Sequence, residues 1–340
     1  MIEFVRLENK NKELWNNYAL SNSDSEIYHL ASWADIYSES YGYKPYFFLL
    51  KLNDKVVGLL PIIHQKGLFK NILASLPGGI LLENPESHGE EVYRFIIALK
   101  NKLKAKDFVL YNRYELSSEM FVSTENVRIL KQLPADDKEL LAEIGKKRRW
   151  GVRKGEEHGL THQVFEPTKD LIKTFYQIYA KHYRDLGTPV HSLSFFLKQA
   201  EHLGDNIRIL FVWKDDAPIC AKWLMHYKSS IISSESATLK EYYYTRVSDY
   251  QVFNALKYAV NNGCSTYNMG RSQLDTGAFN FKKSWGELDL EEYPIFSTKL
   301  RSGIEAKRGK LNFFINLWKK TPVPLTRIIG PALRKHLSLD

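Results

Sequence analysis

The residues that could do chemistry in this chain gather in three short stretches. In NMGRSQLDTGAFNFKKSWGE, residues 268–287, an apolar run ends at Gly270, Arg271 and Ser272 follow, and Lys282 and Lys283 stand among Phe279, Phe281 and Trp285. Glycine lets backbone approach a ligand closely, and an arginine fork suits a phosphate or carboxylate, so Arg271 and Ser272 read as substrate contacts. Asp275, Thr276 and Gly277 read as a turn and helix start from which a lysine reaches back while the aromatic residues pack. Structural ion pairs made by Arg271 and Lys282 are the competing reading.

The second stretch is KKRRWGVRK, residues 146–154, with Lys146, Lys147, Arg148, Arg149, Arg153 and Lys154. On a helix Arg149 and Arg153 stand at i and i+4 on one face, and two forks there suit a diphosphate. A solvated charged helix partnered by Glu156 and Glu157 is the alternative. The third is YAKHYRDLGTPV, where Gly187-Thr188-Pro189 stops a helix whose last turns hold His182, Tyr183 and Arg184. His182 could take a proton from an attacking ammonium near neutral pH, or pack structurally. No metal is expected, because histidines and acidic residues lack ligand spacing; Cys220 and Cys264 suit neither a metal site nor a disulfide framework.

The elements that must position these groups are written twice. YFFLLKLNDKVVGLLPIIH (46–64) reads as a hairpin turned at Asn53-Asp54, and IRILFVWKDDAPICAKWLMHY (207–227) repeats it at Asp215-Asp216. Each is followed by a helical pattern (88–105 and 249–262) and a strand (DFVLYNR and STYNMGR), the copies offset by about 160 residues. Strands IEFVRL and LTHQVFE, each followed by two helical segments (near 11–21 and 32–41, then 168–186 and 192–203), open the two units. The expected class is therefore α+β, with two duplicated lobes, each a mixed, mostly antiparallel sheet flanked by helices. The domains are 1–134, a helical connector 135–159, a second lobe 160–302 and a tail 303–340.

Formal charge is +9, of which +7 lies in residues 301–340, where nine Lys and Arg face Glu305 and Asp340. The near-neutral body argues against a nucleic-acid-tracking surface. In the tail, Leu311, Phe314, Ile315 and Trp318, then Leu325, Ile328, Ile329 and Leu333, recur at helical spacing on either side of Pro322 and Pro324. Those stripes pack on the body or a partner subunit, or lie in a membrane interface. A start without a signal-type h-region and the lack of a bilayer-length apolar run lead to the expectation of a cytoplasmic protein; packing of residues 303–340 is the favoured reading of the tail, and contact at the inner face of the cytoplasmic membrane is the other.

LASWADIYSESYGYKPYFFLLKLNDKVVGLLPIIHQKGLFKNILASLPGG, KKRRWGVRKGEEHGL, YRDLGTPVHSLSFF and GCSTYNMGRSQLDTGAFNFKKSWG together resemble the FemAB group of tandem-GNAT acyltransferases, most of all its members beside exopolysaccharide gene clusters. The resemblance implies two GNAT-like lobes, the second catalytic. It implies an enzyme moving an acyl or aminoacyl group onto an amine or hydroxyl of a cell-envelope or exopolysaccharide precursor. Acyl-CoA or aminoacyl-tRNA would be the donor, with no bound cofactor. Family members carry an FK pair followed by an aromatic residue, met here by Phe281, Lys282 and Trp285, which implies that Lys282 stabilises the oxyanion. Their KKxRxxVRK pattern is met by Lys146, Lys147, Arg149, Arg153 and Lys154, which implies substrate binding by these residues, and we add Arg184. The glycine-rich loop that cradles coenzyme A pyrophosphate in ordinary GNAT enzymes is missing, which leaves a noncatalytic binding module for a polysaccharide intermediate or membrane-associated partner as the other reading.

Overall fold

In the computed structural model, which describes residues 1–67, 70–299 and 308–335, the duplicated pattern becomes two units. The first opens with β1 (Glu3–Arg6), α1 (Lys12–Ser21) and α2 (Ser32–Tyr41), then β2 (Lys44–Leu52), β3 (Lys55–Lys66), β4 (Asn71–Ser75), β5 (Leu81–Leu82), α3 (Pro85–Lys102), β6 (Asp107–Tyr111) and β7 (Phe121–Ser123). Asn53 and Asp54 turn the β2–β3 hairpin at φ 49° and 66°, the left-handed pair that matches strand twist. β3 is buried from Val56 to Gln65, as a strand covered on both faces should be. The crossover through α3 then sets β4 and β6 parallel.

The second unit begins with β8 (Asn126–Gln132), α4 (Asp137–Glu143) and α5 (Lys146–Glu157). It continues with β9 (Thr161–Phe165), α6 (Lys169–Leu186), α7 (Leu193–Leu203), β10 (Ile207–Lys214), β11 (Ala217–Tyr227), β12 (Ser230–Thr238), α8 (Val247–Asn261), β13 (Thr266–Gln273), α9 (Gly277–Lys283) and β14 (Asp289–Glu292). Side chains of Asp136, Thr168, Ser192 and Thr276 accept backbone N–H bonds at the starts of α4, α6, α7 and α9, satisfying donors that a helix leaves open. β10 and β11 turn at Asp215 and Asp216 (φ 49° and 63°), and β12 and β13 are parallel across α8.

The sheets divide the chain differently from the linear boundaries. β8, inside 1–134, pairs with β13, and its Val127 and Ile129 join the core of the second unit. Leu140, Ile144 and Val152 of the connector join the same core, so 135–159 is built into that unit. Conversely β15 (Ile295–Ser297), inside 160–302, pairs with β6 and β7. The sheet orders are β1-β2-β3-β4-β6-β15-β7, with β5 beside β3, and β14-β8-β13-β12-β11-β10-β9. Both are mixed and mostly antiparallel, as the sequence pattern requires. Two helices, α10 (Arg308–Lys320) and α11 (Val323–Arg334), end the described chain. Of the 303–340 tail, residues 303–307 and 336–340 lie outside the described residues.

Candidate active site

β12 and β13 pair only over Ser230–Ile232 and Thr266–Asn268, and past that point each carries a bulge. In β13 the extra residue falls between Asn268 and Arg271, with Gly270 at φ 76° and its N–H bonded to Asn268 Oδ1 at 2.8 Å. A left-handed residue in a bulge is where glycine is needed, and the bulge re-aims the strand. The carbonyls of Gly270 and Arg271 consequently accept hydrogen bonds from Lys282 Nζ, at 3.3 and 3.0 Å. Thr276 caps α9, Phe279 is buried in the core, and Lys282 in the last turn comes back to the strand it left. Burial, then the charges of Lys222 and Arg271, lower the Lys282 amine to about 8.

Lys222 is the group that sequence reasoning missed. It lies on β11 within PICAKWLMHY, 4% exposed, and its Nζ donates to Ser233 Oγ at 3.0 Å. Among the described residues the other buried charged side chains are paired: Arg128 with Glu291, Lys131 with Glu143, Arg148 with Asp249. Lys222 has a hydroxyl and no carboxylate, and burial lowers its amine to about 8. A buried cation without a counter-ion costs stability, so Lys222, with the half-buried Lys282 amine near the same bulge, marks a place prepared for negative charge. The signal that could have found Lys222 is a lysine in the middle of an otherwise apolar strand.

The remaining predicted residues are dispersed. Ser272 is buried and its Oγ has no hydrogen-bond partner among the described residues. Arg271 follows the bulge, opposite Arg128 of β8. Arg149 turns to the end of α4 and donates from Nη1 to the carbonyls of Ala142 and Ile144, at 3.0 and 2.7 Å. It is Arg148 that points inward, to Asp249 and Ser284 Oγ (2.6 Å), its guanidinium 4.3 Å over the Phe281 ring. Lys147 and Arg153 are exposed, and Lys154 pairs with Glu157. Arg184 binds Asp185 at 2.7 Å and the Thr321 carbonyl at 3.3 Å. His182 donates from Nδ1 to the Thr238 carbonyl at 2.9 Å, and burial lowers its pKa. Close by in sequence, Tyr183 donates to Glu235, whose other oxygen lies 3.9 Å from His191 Nε2.

The comparisons bear on the fold that carries these groups. Residues 142–283 match the model of the acetyltransferase (GNAT) domain. Over that stretch the second unit is similar to a GNAT domain. The match takes in α5, β10 to β13 and α9, and so includes Lys222, Gly270, Arg271 and Lys282. Among solved structures, FemX is 15% identical with a TM-score of 0.64, over 88% of this chain and 97% of that one. A tandem GNAT protein from the clavulanic acid biosynthesis pathway is 10% identical with a TM-score of 0.57, over 89% and 100%. L-PGS from Bacillus licheniformis is 12% identical with a TM-score of 0.57, over 96% and 98%. What is shared at these identities is the fold, two GNAT-like lobes in tandem. No curated protein matches the sequence.

GNAT enzymes use acyl-CoA as donor. Here the N-terminus of α8, the end that would favour a phosphate, follows Arg246 at φ 62° and carries Asp249 in its first turn, bound by both Arg148 and Arg246. An internal carboxylate already occupies the positive end of that helix.

Proposed function

We propose that the protein is an acyltransferase that moves an acyl or aminoacyl group onto an amine or hydroxyl of a cell-envelope or exopolysaccharide precursor, in the cytoplasm at the inner face of the membrane. The observation that carries this reading is the Lys282 amine, held on the Gly270 and Arg271 carbonyls with the unpaired Lys222 amine beside it. Attack on a thioester or ester carbonyl puts negative charge on its oxygen, and a preorganised ammonium stabilises that charge more than it stabilises the ground state. The tetrahedral carbon then expels a thiolate or a ribose oxygen, which takes up the proton that the attacking group gives up. Lys282 acts as the cation and Arg271 and Ser272 hold substrate. Arg153 and Lys147, exposed along α5, and the half-buried Lys154 meet its anionic part. The names of FemX and L-PGS support an envelope acceptor, and the Asp249 carboxylate at the start of α8 favours aminoacyl-tRNA over acyl-CoA.

Thermal unfolding titrated separately with acetyl-CoA, a long-chain acyl-CoA and charged tRNA tests the donor, since a ligand of the native state raises its stability with concentration over Kd. A saturable rise with charged tRNA alone is the expected result. A rise with a CoA thioester reassigns the donor, and no rise with any of them removes the transfer reading.

A further inference from the structure

The two C-terminal helices use one face for packing and leave a second apolar face outward. On the inner side, Ile315 lies on Gly187 at the end of α6, so tightly that an added Cβ there would sit 2.5 Å from Ile315 Cγ2. Gly330 packs on Val190 and Trp318, Thr326 is fully buried, and the Arg327 guanidinium stands 5.3 Å over the Tyr176 ring. The outer side carries Phe313 (67% exposed), Phe314 (65%), Leu317, Leu325, Ile328 (74%) and Ile329. On α10 these fall at i, i+1 and i+4, and on α11 at i, i+3 and i+4, so each helix presents one continuous apolar stripe. Large aromatic and aliphatic side chains concentrated so on two successive helices are a surface meant for covering.

We infer that this outer face of α10 and α11 docks on an anionic lipid surface. Charge selects the occupant. From Ala306 to Leu339 the sequence holds eight Lys and Arg and no Asp or Glu; Lys320 is exposed three residues after Leu317, on the same face of α10, and Lys319 is exposed beside Gly187 at its edge. A second copy seated on this face would set those cations against their own equivalents, which repels, whereas anionic headgroups neutralise them while the acyl boundary takes Phe313, Phe314 and Ile328. No described helix is long and apolar enough to cross a membrane, so contact is interfacial. Docking rests on the location at the membrane's inner face given in the proposed function, and is tested apart from the transfer chemistry.

The test is co-sedimentation of the full chain with phosphatidylcholine vesicles, with and without phosphatidylglycerol, at low and high salt. The variants are Phe314→Ser with Ile328→Ser, and Lys319→Gln with Lys320→Gln. All four side chains are exposed, so folding, checked by circular dichroism and thermal unfolding, is retained. The expected result is salt-sensitive binding to the phosphatidylglycerol vesicles alone, weakened about tenfold or more by the apolar pair and less by the lysine pair. Absence of binding, or equal binding by the chain and its apolar variant, overturns the inference. So does concentration-dependent dimerisation that the apolar variant abolishes, which would assign the face to a second copy. Donor titrations are indifferent to either outcome, which separates this failure from failure of the transfer reading.

Discussion

The two hairpins of this chain are the same object with different contents. β2–β3 and β10–β11 turn on left-handed pairs, Asn53-Asp54 and Asp215-Asp216, and each carries a bulge, at Leu50/Lys51 in one and Val212/Trp213 in the other. Matched through that turn and bulge, Leu60, paired with Phe48, corresponds to Lys222, paired with Leu210. Both are buried, yet one is a core leucine and the other an amine without a counter-ion. The contrast is general. Among the described residues the buried Lys, Arg and Asp side chains, Arg128, Lys131, Arg148, Lys222 and Asp249, all belong to the second unit. After β6 the first unit goes on to β7, whereas after β13 the second builds α9 and returns Lys282 to the strand. Duplication supplied the frame twice, and one copy alone spends stability on charge.

If that charge is structural where paired, Arg148→Ala should give the largest loss. It leaves Asp249 buried with only Arg246, and unfolding by denaturant should show about 3–5 kcal/mol of destabilisation. If charge is functional where unpaired, Lys282→Ala should lower kcat by about 10²–10³-fold, once the donor is known, with little change in thermal midpoint. Equal turnover by the variant would remove Lys282 from the mechanism.

Lys222→Leu makes the second unit match the first, and is the sharpest form of the comparison. Stability should stay level or rise by about 1–4 kcal/mol, as an unpaired buried amine gives way to packing. The Lys282 ammonium loses a cationic neighbour, so its pKa rises from about 8. If turnover needs that ammonium, activity is present below about pH 8 and falls as pH rises through it, and in the variant this alkaline limb moves upward. Folding should register the same groups. Lys222 titrates near 8 when folded against 10.5 for an ordinary lysine, so between those values the unfolded chain holds more protons and stability climbs with pH. Thermal scans across that window should show the climb, reduced in Lys222→Leu.

The smallest effect should come from the residue next to the largest. Arg149→Ala removes two hydrogen bonds to the partly exposed end of α4 and should cost about 1 kcal/mol, with kcat unchanged. A large fall in turnover would instead restore Arg149 as a substrate contact.

Local chemistry made much of this legible. Turn pairs, helix caps and 3.6-residue stripes are short-range signals, and the hairpins, α1, α2, α6, α7 and α8 follow them closely. That a lysine of α9 reaches back was legible too, because the strand end and the capped helix turn lie within fifteen residues of sequence, whereas its landing on a bulge at Gly270 was not. Which of Arg148 and Arg149 faces inward was not, since adjacent helical residues differ by a rotation that only the packing of α5 on α8 fixes, where Gly151 leaves no room between helix and Asp249. Nor were the strand assignments of β8 and β15, whose partners stand more than a hundred residues away and whose lengths carry little pattern of their own.

By itself, then, the sequence determined the duplicated α+β frame, the cationic stretches and the basic tail, because each is written in neighbouring residues. Tertiary structure decided which cations are neutralised inside the protein. Arg148 and Arg128 meet carboxylates brought from distant elements and Lys131 meets Glu143 of the neighbouring α4, while among the described residues Lys222 and Lys282 meet none. Charge balance in a low-dielectric interior is a property of what the fold brings together, and the imbalance it leaves at Lys222 and Lys282 is what marks the site.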